Sequence, residues 1–112
     1  MKNTLEYFLL DDNETAIPCS IEEWGNFLED ARGTKRRIVK QEYIYDKFIS
    51  TVFLGLNHNW SSKGTPLIFE TMIFNDNNGC EEYCDRYSTW DEALIGHEKA
   101  VQWVKDGCKK NE

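Results

Sequence analysis

The side chains with reactive chemistry are few, and they are scattered. Two histidines, His58 and His97, four cysteines, Cys19, Cys80, Cys84 and Cys108, and one carboxylate in an apolar run, Glu70, are the candidates. Cys80 and Cys84 form a C-x3-C pair with His97 thirteen residues further on, and zinc would need a fourth ligand from Cys19, Cys108 or His58. Strong zinc sequences carry two paired clusters and this chain has one, so free thiols are the favoured reading and no metal is assigned. Glu70 lies among Ile68, Phe69, Met72 and Phe74 and must be paired, protonated or at a surface. Together with His58 or His97 it could act as acid and base, the basis of a small-enzyme alternative. There is no Gly-rich phosphate loop, nucleophile elbow, HExxH or paired-Asp metal signature, so no cofactor is implied.

His97 sits on the apolar face of a helical pattern, directly after Gly96. A glycine inside a helix costs about 1 kcal/mol relative to alanine, so it marks a close approach by another element. The simplest reading of His97 is a core histidine bonded to a sheet residue such as Thr51 or Glu70. Pairing of Glu70 with His97 or Arg86 would likewise make a structural network. Binding is better served than catalysis. Asn57, His58, Asn59 and Trp60 place donors, acceptors and a large ring in one loop, the composition of an interface anchor. The candidate binding residues are therefore His58, Asn59, Trp60, Glu70, Arg86 and Tyr87, and no catalytic residue is assigned.

These residues need a frame, and the frame is organised around Phe48 to Leu56, FISTVFLGL. Its aromatic and β-branched residues, apolar on both parities, describe a strand covered on both faces or one twisting beneath a helix. Leu67 to Phe74 has the same texture and pairs with it across the loop from Asn57 to Pro66. A first strand covers Leu5 to Leu10. Ser20, three residues before Glu23, opens a helix with Ile21, Trp24, Phe27, Leu28 and Ala31 on one face, stopped by Gly33. Within Thr34 to Tyr45 the run IVKQEYIY alternates loosely and can pair antiparallel with the Phe48 strand through a short turn near Asp46 and Lys47. The segment's basic knot, Lys35 to Arg37, follows an acidic helix and reads as a solvated face. Asn78-Gly79 marks a hairpin before a last strand, Glu82 to Tyr87. Ser88 and Asp91 form a looser capping box for a helix from about Thr89 to Lys105, with Trp90, Leu94, His97, Val101 and Val104 on its inner face. The result is an α+β fold, an antiparallel sheet of about five strands with two helices packed on one face.

The chain of 112 residues reads as a single domain, able to bury roughly 65% of its unfolded surface without disulfides. With 20 acidic and 13 basic residues its net charge is -7, which disfavours direct nucleic-acid binding and suits competition for a basic site on a partner. The N-terminus does not read as a signal peptide and no stretch is apolar enough to span a bilayer, so a cytoplasmic location with reduced thiols is expected. With both helices on one face, the other face needs cover or polarity, and a homodimer is one way to supply it.

The segments IPCSIEEW, STVFLGLNHNW, PLIFETMIF and YSTWDEALIGHE resemble the matching blocks of a family of small uncharacterised proteins carried by bacteriophages and prophages. The resemblance spans Ile17 to His97 and implies no catalytic residue. It implies an accessory role, binding a bacterial host enzyme or defence component in the manner of anti-CRISPR inhibitors. A small-ligand alternative is an oligomeric sponge for a signal nucleotide, held by His58, Trp60 and Arg86.

Overall fold

The computed structural model describes residues 6–34, 36–59, 64–75 and 81–108. Its elements are β1 (Tyr7–Leu10), β2 (Ala16–Cys19), α1 (Ile21–Thr34), β3 (Ile38–Ile44), β4 (Lys47–Phe53), β5 (Phe69–Asn75), β6 (Glu81–Tyr87) and α2 (Trp90–Lys105). The fold is α+β. β3 to β6 form an antiparallel sheet in sequence order, and β1 and β2 form a separate two-stranded hairpin. Ile17-Pro18-Cys19 is thus a strand in its own right rather than a lead-in to the helix. It pairs residue for residue with β1, Tyr7 opposite Cys19 and Leu9 opposite Ile17.

The central strand is shorter than its apolar run. β4 leaves the ladder after Phe53, and at Gly55 the backbone turns through a positive φ of 76°. A Cβ there would lie 2.5 Å from the Trp24 indole nitrogen and 2.8 Å from the Phe8 carbonyl oxygen. The glycine is therefore where the hairpin meets the main sheet: the Phe8 N–H donates to the Gly55 carbonyl at 2.7 Å, and Trp24 Nε1 donates to the Leu54 carbonyl at 3.2 Å.

Alternation along β4 and β5 sends Ile49, Thr51, Phe53, Phe69, Thr71 and Ile73 to one face, where all are fully buried. Both helices cover that face. Phe27 of α1 meets Phe53 edge to face at 5.8 Å, and Ala93, His97, Ala100, Val101 and Val104 of α2 are buried against the sheet. α1 opens with a reciprocal capping box, Glu23 N–H to Ser20 Oγ at 3.1 Å and Ser20 N–H to Glu23 Oε1 at 2.9 Å. The cap of α2 falls one residue later than the Ser88 and Asp91 spacing predicts. Thr89 accepts from the Glu92 N–H at 3.1 Å, and Glu92 Oε1 accepts from the Ser88 N–H. Leu94, placed on the inner face by the sequence, is 38% exposed. The inner positions are taken by residues small enough to let α2 lie close.

Gly96 is the closest approach. A Cβ at this position would lie 2.1 Å from the Tyr87 ring. Gly96→Ala should therefore lose about 1–3 kcal/mol in urea denaturation, the scale of overpacking, despite alanine's better helix propensity. Truncating the ring, in Gly96→Ala with Tyr87→Ala, should turn the same alanine into a gain relative to Tyr87→Ala alone. A Gly96→Ala protein more stable than the parent would contradict the packing described.

Candidate functional site

Among the described residues the polar and reactive side chains of the main sheet and α2 come together in two groups, on opposite faces of the sheet. The inner group is a chain of polar contacts beneath α2. Thr51 and Thr71 face each other across β4 and β5, with their hydroxyl oxygens 2.5 Å apart. Thr51 Oγ1 lies 2.7 Å from His97 Nδ1, and His97 Nε2 lies 2.7 Å from Glu42 Oε2. Because Nε2 faces a carboxylate, it carries a proton and donates it. Lys40 continues the chain, 3.7 Å from Glu42 and 2.9 Å from Glu98. Its hydrogen bond to Glu98, followed by the charges of Glu42 and Glu98, pushes the ammonium pKa above the usual lysine value. The same hydrogen bond, assisted by the Lys40 charge, holds the Glu98 carboxyl below its usual range.

Glu42, His97 and Glu98 bring ligand atoms within 4.8 Å of one another, a set that could in principle suit a divalent ion. Lys40 already supplies the positive charge there, and both ring nitrogens of His97 are engaged. The cluster is a closed ion network running from solvent to the core.

The outer group is on the other face. Glu70 pairs with Arg86 across β5 and β6, Oε2 to Nε at 3.0 Å, and also accepts from the Cys84 thiol at 3.4 Å. The Glu70 side chain is 12% exposed, so its charge is answered locally by the guanidinium. Glu70 and His97 are thus separated by the sheet, as are Cys84 and His97. Neither the acid–base pair nor the thiol–imidazole grouping is assembled from these residues. Cys80 and Trp60 lie outside the described residues. The Cys19 thiol is pushed up by burial and then by the nearby Glu23 carboxylate, which makes it less reactive.

The loop residues mostly hold the loop. Asn57 Oδ1 accepts from the Asn59 and Leu67 N–H groups at 2.8 and 2.9 Å, and Asn59 Nδ2 donates to the Thr65 carbonyl at 2.9 Å. His58 is half-buried beside them, its backbone N–H on the Leu67 carbonyl at 2.8 Å.

Arg86 and Tyr87 instead line a groove of about 430 Å³ between β6 and α2, together with Leu67, Glu92, Ile95 and Lys99. Beside it Leu94 and Ile95 stand 38% and 60% exposed on α2, forming a shallow apolar patch with Glu98, Lys99 and Gln102 at its rim. The patch carries no reactive side chain, and its signal lies in the helical pattern. Ala93, His97, Ala100, Val101 and Val104 already complete one helical face, and Leu94 and Ile95 fall off it.

Comparison with known proteins finds no matching family model, no matching curated protein and no matching solved structure. Among the described residues no helix is long and apolar enough to cross a membrane.

Tyr87 offers a direct test of the seam. Its hydroxyl is buried without a well-aligned hydrogen-bond partner, although Thr71 is close enough to stabilise the anion slightly. Burial dominates and pushes the phenol from its ordinary value of 10.0 up to about 12. The fold therefore favours neutral Tyr87, a contribution intact below the ordinary value and lost as pH rises through the folded one. Tyr87→Phe should match or exceed parent stability at neutral pH, by up to about 1 kcal/mol, since it removes an unsatisfied hydroxyl. In melts between pH 10 and 12 it should lose less stability than the parent. An equal alkaline loss in both proteins would contradict this assignment.

Proposed function

We propose that this protein is a non-catalytic binding protein, a phage accessory factor that acts by occupying a surface of a bacterial protein. The observation that carries this reading is the exposed Leu94–Ile95 pair on α2, bordering the groove between α2 and β6. An isoleucine 60% exposed in the middle of a helix packed firmly on a sheet has the anatomy of an interface anchor, apolar at its centre and charged around it. Asp91 and Glu92 make part of that surround acidic, while Glu98 is paired with Lys40 and Lys99 follows Ile95 by four residues on the helix. A partner with a basic rim around an apolar pocket fits it, and a nucleic-acid-binding site on a host defence protein is one surface of that kind. Occupying such a site would block it, which makes inhibition the natural outcome.

The engagement of the acid and base groups supports binding over catalysis. His97 has both nitrogens committed, and the Glu70 charge is balanced by Arg86. Neither is poised to exchange a proton with a substrate.

The test is affinity capture from bacterial lysate with parent protein and Ile95→Lys, a surface change that leaves the core intact. The expected result is a stoichiometric protein partner whose affinity for Ile95→Lys is at least about tenfold weaker, a loss of about 1.4 kcal/mol. Binding should also weaken as salt rises. Capture of a small nucleotide alone, or of a protein held equally by both forms, would contradict the proposal.

A further inference from the structure

We draw no further inference here: the strongest candidate, the cavity of about 520 Å³ between the β3–β4 turn and the C-terminal end of α2, is lined by Tyr45, Trp103, Asp46, Lys47 and Lys105, of which Asp46 and Lys47 already have partners, so that one exposed lysine beside two rings selects no class of ligand.

Discussion

The structure depends on how α2 seats a histidine on a β-sheet. His97 is fully buried, and a buried imidazole without partners would cost several kcal/mol of the small margin by which a domain is stable. The cost is met by geometry. Thr51 and Thr71 stand opposite each other at the middle of the two central strands, and Glu42 reaches in from the edge strand. Only one placement of α2 puts both ring nitrogens on these partners, so the polar chain fixes the rotation and axial position of the helix. Apolar packing alone would specify them less sharply.

The same stripe divides the core. On one side Phe27, Phe53, Ile68, Phe69 and Ala93 cluster with Leu10 of the hairpin; on the other Ile49 and Ile73 pack against Ala100, Val101 and Val104. The aromatic half joins α1 and the hairpin to the sheet, and the aliphatic half anchors the far end of α2. Gly96 and the two alanines let the helix descend far enough for the histidine to reach Thr51, and Tyr87 fills the space left over Gly96. With α2 held in this way, Leu94 and Ile95 are presented to solvent on a rigid support. That is the link between the interior and the proposed binding role.

Much of this was legible in the chain. The pairing of the two apolar strands, the capping box at Ser20, a core role for His97 and a close approach at Gly96 all follow from local pattern and appear in the structure; of the two partners the sequence offers His97, the structure shows Thr51 and places Glu70 on the other face. Three features were not. Ile17-Pro18-Cys19 became a strand because β1 offered an edge, a tertiary opportunity that a four-residue segment containing proline does not announce. Glu42, in an alternating segment between Gln41 and Tyr43, gives no local sign that it meets a helix 55 positions away. Leu94 was misplaced because a helix lying close on a sheet buries a narrow face, and alanine and glycine claim it.

The Thr51–His97 contact clamps the helix to the sheet, and a double-mutant cycle in urea measures it directly. Thr51→Val and His97→Leu, each alone, strand the polar partner of the deleted group and should each lose about 1–3 kcal/mol. The double variant should be more stable than the sum of the single losses by at least about 1 kcal/mol, because the stranded groups are removed together. Additive losses, with a coupling below about 0.3 kcal/mol, would mean that the two side chains do not act as a unit and that the helix is not clamped by this contact.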